Sequence, residues 1–150
     1  MKKYTLSALL IGVGLIFGMQ ANAAGVGYID YGKVQENFSF AQQAVKEIYS
    51  KALDMQQFMV DKEKQYKSLD TPLKKQNFEE QTAREFKLKE DAYMRLKAKK
   101  EEQVYNKIQA AAKQVLVEQK LDAIVDYRVI FVGGVDISDL VIQKLRSGQF

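Results

Sequence analysis

The sequence has no cysteine, no histidine and no tryptophan among its 150 residues. These absences exclude a cysteine nucleophile, a histidine general base, a Ser-His-Asp triad and any thiolate or imidazole metal site. A mechanism based on carboxylates or lysine stays open, although no pair of acids has a recognisable spacing. We therefore expect no enzyme, and no catalytic, cofactor-binding or metal-binding residue. Without disulfides, the fold has to be held by burial or by assembly.

Glycine is absent from residues 38–119, and the only proline of the chain, Pro72, lies inside that stretch. The stretch is rich in the residues that cost least in a helix, such as Ala, Glu, Lys and Leu. Asp70 or Thr71 can cap a new helix, and Pro72 suits its first position. The pattern predicts two helices that form a long antiparallel hairpin, here called the arm, over residues 38–103 with its tip near residues 69–73.

The first predicted helix carries a seam at alternating spacings of four and three, which is typical of a supercoiled contact between helices. The return helix has a looser seam, so we expect an arm that packs well near its base and weakly further out. The seam of the first helix consists of Ala41, Val45, Ile48, Ala52, Met55, Met59, Lys62, Tyr66 and Leu69.

The beginning of the chain has the composition of a secretory signal peptide. Lys2 and Lys3 precede an apolar stretch, and Ala21-Asn22-Ala23 is a small-x-small cleavage site. We expect residues 1–23 to be removed after Ala23, the alternative being an uncleaved N-terminal anchor. The two lysines carry half of the formal net charge of +4, so the remainder, at +2, is only mildly basic.

The residues outside the arm, 24–37 and 104–150, are predicted to form one small α+β body, so that residues 24–150 are a single domain. Three short strands rarely stand alone in water, and unpaired strand edges are pairing sites, so we expect oligomerisation to complete the sheet. These patterns leave the number of copies open. The predicted elements are strands at Val26–Tyr31, Leu121–Tyr127 and Val129–Val132, a turn at Gly133-Gly134, and a final helix capped by Ser138.

Four segments carry a resemblance to a known family: Val26–Asp30, Ile108–Lys113, Leu121–Asp126 and Val135–Ser138. With the signal peptide and the charged hairpin, they resemble the periplasmic Skp/OmpH chaperones. The resemblance implies a homotrimer whose arms surround a cavity. It also implies an ATP-independent holdase that binds unfolded outer-membrane proteins in the periplasm and prevents their aggregation on the way to the outer membrane.

Side chains of the arm are the candidates for client binding, because flexible Met and aromatic groups adapt to varied partners. The alternative for each apolar candidate is packing within the helical seam, and for the lysines a solvated helix face. Lys74-Lys75 and the Lys97–Lys100 region are also candidates for contact with anionic lipid or lipopolysaccharide. The candidate client-binding residues are Phe58, Met94, Tyr49, Phe78, Phe86, Tyr93, Lys97, Lys99 and Lys100.

Two other classes of function share these features. A structural coiled-coil spacer of the cell envelope would have the same hairpin but no affinity for unfolded clients. A nucleic-acid binder would fit the pI of about 9.1, but export argues against it, so we expect no nucleic-acid partner.

Overall fold

A computed structural model describes residues 25–148 and residue 150 of the chain. The predicted signal peptide, residues 1–23, lies outside the described residues. The described chain is mostly helical with one small parallel sheet, which confirms the α+β class. No helix in this part of the chain has the length and apolar character needed to cross a membrane. The elements are β1 (Gly25–Ile29), α1 (Tyr31–Glu36), α2 (Ser39–Lys67), α3 (Pro72–Glu118), β2 (Leu121–Asp126), β3 (Val135–Asp136) and α4 (Ser138–Ser147).

The two long helices begin and end close to where the sequence predicts. Thr71 is the N-cap of α3, its hydroxyl accepts a hydrogen bond from the Lys74 backbone N–H at 3.3 Å, and Pro72 occupies the first helical position. With 29 residues in α2 and 47 in α3, the helices are about 44 Å and 70 Å long at 1.5 Å per residue. The longer α3 therefore extends past the start of α2 into the body.

The sheet joins the two ends of the described chain. Its order is β2-β1-β3, and both neighbours of β1 run parallel to it. The turn before β3 depends on Gly134, whose φ is +84° and whose missing Cβ would lie 3.2 Å from the Val26 carbonyl oxygen. Parallel neighbours need long connections, and the arm is part of the connection from β1 to β2.

The core lies in the body, between the sheet, α1, α4 and the last turns of α3. The apolar end of α3 contributes Val104, Ile108, Ala111 and Val115, all buried, as predicted for the turns beyond the arm. Helix α4 adds an apolar face to the same cluster. The most deeply buried large side chains of the core are Val34, Ile108, Val115, Ile137 and Val141.

All three predicted strands differ from the structure: the second ends at Asp126 rather than Tyr127, the first also ends early, and the third does not form. The first strand ends at Ile29 rather than Tyr31, because the Asp30 carboxylate accepts a hydrogen bond from the Lys33 N–H at 3.0 Å and so caps α1. Val129–Val132 is not a strand: Tyr127–Val129 forms a short 3₁₀ turn capped by Asp126, and the residues after it stay outside the sheet. Both sides of β1 are already occupied. β2 pairs with one side, and β3, formed by Val135–Asp136, pairs with the other.

The seam of α2 and the cap of α4 also differ from the prediction. Val45 is exposed, and Ala44 is buried in its place, because α2 packs against both α1 and α3 near the body and its buried face is centred on Ala41 and Ala44. Met59 is likewise exposed. Ser138 starts α4, but its side chain does not cap the helix. Its hydroxyl instead accepts a hydrogen bond from the Asp30 N–H and donates one to the Asp136 carboxylate at the end of β3.

Candidate binding surface of the arm

The arm lacks a core over most of its length. Ala41 and Ala44 of α2 and Val104 of α3 are buried where the arm meets the body, but no residue from 45 to 103 is buried. The arm therefore has half-buried contacts between its helices and large exposed faces. This agrees with the expectation of weak packing away from the base.

Many of the exposed side chains on the arm are large and apolar. Tyr49 on α2 is 63% exposed and Met94 on α3 is 56% exposed. Isolated exposed apolar side chains are ordinary on soluble proteins, whereas a series of them along one narrow element offers repeated contact points to a partner. The other exposed apolar side chains of residues 45–103 are Val45, Leu53, Met59, Val60, Leu73 and Leu88.

Lys62, the one charged member of the predicted seam, bridges the two helices. Its ammonium lies 2.6 Å from the Glu85 carboxylate and 5.1 and 5.3 Å from the ring centroids of Phe58 and Phe78. A cation over aromatic faces is attracted to the ring quadrupole. The hydrogen bond from Lys62 lowers the pKa of Glu85 from its ordinary value. The charged Lys62 is therefore tolerated in the seam because it contacts one carboxylate and two aromatic rings.

A second ion pair joins the helices nearer the body. The Lys100 ammonium lies 2.5 Å from the Glu47 carboxylate, and this hydrogen bond lowers the pKa of Glu47. Both pairs are half-buried and remain in contact with solvent, and ion pairs at the surface stabilise weakly, typically by less than about 1 kcal/mol. The two pairs therefore fix which residues of the helices face one another more than they strengthen the arm.

A groove opens between the helices toward the tip of the arm. It encloses about 400 Å³, and its lining is largely apolar, with Met59, Tyr66, Phe78 and Phe86 among its walls. The hydroxyl of Thr82 is buried there without a hydrogen-bond partner. A groove of this size and character can admit an apolar side chain of a partner.

The predicted client-binding residues are divided between the seam and the surface. Phe58, Phe78, Phe86 and Tyr93 are half-buried, and Phe78 and Phe86 share the groove near the tip, whereas Tyr49 and Met94 are exposed. Their role in binding stays a prediction. Of the lysines, Lys97 and Lys99 are exposed and Lys100 bonds to Glu47.

Sequence reasoning missed seven further side chains of this surface, namely Val45, Leu53, Met59, Val60, Tyr66, Leu73 and Leu88. Leu73 and Leu88 are among its exposed apolar residues, and Tyr66 lines the groove with its ring 6.4 Å from that of Phe78. Leu88 does not belong to the apolar seam predicted for either helix. Its position outside the seams is the sequence feature that indicates exposure to solvent. Among residues 25–148 and 150, no group of three or more acidic side chains could hold a metal ion.

The sequence matches no protein-family model and no curated protein. Among solved structures, the chain is similar to a Caulobacter crescentus protein provisionally described as an outer membrane chaperone (OmpH-like). The two share 16% sequence identity with a TM-score of 0.39, over 83% of this chain and 85% of that chain.

Proposed function

We propose that the protein is an ATP-independent holdase of the periplasm, which binds unfolded outer-membrane proteins and keeps them from aggregating. In this proposal it acts as a homotrimer. The body, residues 24–37 and 104–150, joins the copies, and the arm of each, residues 38–103, is an antiparallel hairpin beside a shared cavity. Its role is binding rather than catalysis.

The observation that carries the proposal is the surface of the arm. Residues 45–103 have no buried member, yet they include eight exposed large apolar side chains. Burying one such side chain fully is worth about 1.5–3 kcal/mol. A few partly covered contacts of this kind hold an unfolded chain, and their spread along the arm suits clients without a fixed shape.

The charges on the arm keep this apolar surface soluble. Short groups of basic and acidic residues follow one another along α3, and several of these residues pair within the helix, such as Lys87 with Glu90 and Asp91. Such exposed pairs are weak, so they leave the surface open to a partner. The lysines at 97 and 99 would attract acidic clients or anionic lipid through longer-range electrostatics.

Release without nucleotide fits a surface of weak, distributed contacts. Residues 38–119 contain no glycine, so the arm has no glycine-rich loop of the kind that cradles phosphates. A client that folds buries its own apolar surface and withdraws from the arm. Folding at the membrane would therefore drive release.

The test is aggregation of a urea-unfolded outer-membrane β-barrel protein after dilution, with and without the purified chain lacking residues 1–23, and without nucleotide. We expect light scattering to be suppressed at a near-stoichiometric amount of the oligomer. A control with a folded soluble protein checks that binding needs an unfolded client. Unchanged aggregation would contradict the proposal and favour the envelope spacer, which has no use for an exposed apolar surface.

A further inference from the structure

The segment after β2 is the most exposed apolar run of the described chain. Val129 is 72% exposed, Val132 is 87% exposed, and Phe131 between them is fully exposed. An aromatic side chain buries roughly 150–250 Å² when it is covered. Ile130 is half-buried, but three exposed apolar side chains within four consecutive residues rarely face water without a partner. The segment is held between the capped turn at Asp126 and the glycine turn at Gly133-Gly134.

The same body has an apolar groove that its own Phe131 leaves open. The groove encloses about 560 Å³ between α3 and the end of β2. β2 is an outer strand of the sheet, so one of its edges is not paired within the described chain. The walls include Ile29, Tyr105, Ile108, Ala112, Leu116 and Ile124.

We propose that Phe131 of one copy inserts into this groove of a second copy, with its segment Val129–Val132 running beside the outer edge of β2. The inference rests on the self-association proposed above and goes beyond it by assigning the two surfaces that meet. Because the segment and the groove are different surfaces, the contact is head-to-tail, and a ring of copies satisfies every one of them.

Three features favour a second copy as the occupant. Each copy presents one segment and one groove, so the numbers match in any ring. The segment carries no charge, and the groove walls are largely apolar, with Lys113, Asp126 and Arg128 around them. An outer strand with free backbone groups pairs readily with an added strand.

Cysteine pairing tests the assignment directly, since the sequence has no cysteine of its own. A Phe131→Cys chain and a Gln109→Cys chain, made with tags of different mass, are refolded together and oxidised. Gln109 is an exposed residue that lines the groove. We expect a disulfide between the two different chains. The matched control replaces Phe131→Cys with Leu88→Cys, an exposed position on the arm that should not pair. No mixed disulfide, or equal pairing in the control, would overturn the assignment.

A second measurement uses Phe131→Ser, which removes no contact within the copy because the side chain is fully exposed. We expect light scattering to show self-association weakened by about 30-fold or more, the effect of losing a hot-spot residue, with unchanged circular dichroism. Leu88→Ser should leave the oligomer intact. An oligomer insensitive to Phe131→Ser would overturn this inference alone. A monomeric wild type would overturn this inference together with the proposed trimer. The aggregation assay described above would then still test the holdase activity separately.

Discussion

The hydroxyl of Ser138 accepts a hydrogen bond from the backbone N–H of Asp30 at 2.9 Å, across 108 residues of sequence. The same hydroxyl donates to the Asp136 carboxylate at 2.6 Å, and the Ser138 N–H donates to that carboxylate at 2.9 Å. These bonds lower the pKa of Asp136. One buried side chain thus ties the end of β1 to the start of α4.

Replacing Ser138→Ala should destabilise the body. The change leaves the Asp30 N–H without its partner and removes one donor to Asp136, and a buried polar group without a partner costs about 1–3 kcal/mol. Urea unfolding followed by circular dichroism measures the difference. Ser50→Ala, at an exposed position of α2, is the matched control and should change the free energy of unfolding by no more than about 0.5 kcal/mol. Equal effects of the two changes would contradict the bridging role.

Acid should weaken the contact between the two arm helices. Ion pairing with Lys100 and Lys62 lowers the pKa of Glu47 and Glu85 in the folded state. Groups with lowered pKa stabilise the fold above the ordinary glutamate pKa, about 4.3, and this stabilisation is lost as the pH falls through the folded values.

We therefore expect the Glu47→Gln/Glu85→Gln variant to be less stable than the wild type at pH 7. The difference should shrink as the pH falls below about 4. Urea unfolding across that pH range is the measurement. Glu80 accepts a hydrogen bond from Gln76 of its own helix, so the Glu80→Gln variant should follow the wild type throughout. A difference that is independent of pH would show that the ion pairs are not its cause.

How far the sequence predicts this fold depends on how local the signal is. Thr71 and Pro72 set the start of α3 through a cap and a fixed φ, both local effects, and that boundary is confirmed. Whether Val129–Val132 becomes a strand depends on tertiary contacts: β2 and β3 occupy both sides of β1, and the segment pairs with no strand of its own copy. Val45 was misplaced for a similar reason, since its burial depends on how α1 packs against α2. The partner of Lys62 lies on another helix, so the sequence marks the unusual charge but not Glu85.

Removing exposed apolar side chains from the arm should weaken client capture without unfolding the protein. The double change Tyr49→Ser/Met94→Ser affects two residues that are mostly exposed, so the free energy of unfolding should change by about 1 kcal/mol or less. Losing roughly 0.7–1.4 kcal/mol of client contact corresponds to an affinity weaker by about three- to tenfold. Titration of a fluorescently labelled unfolded β-barrel protein measures it. Gln56→Ser, at an exposed polar position, is the control, and an equal loss in that variant would argue against apolar contacts.

Capture of an acidic client should slow as salt is added, and the lysines of α3 should account for part of that dependence. Lys97 and Lys99 are exposed, and exposed charges act through a field that salt screens beyond about 8 Å at physiological ionic strength. In stopped-flow mixing, Lys97→Gln/Lys99→Gln should capture more slowly than the wild type at low salt and at the same rate at high salt. Lys120→Gln/Arg146→Gln removes the same number of charges from the body and should retain most of the wild-type dependence. If both variants lost it equally, net charge rather than the position of these lysines would steer the client.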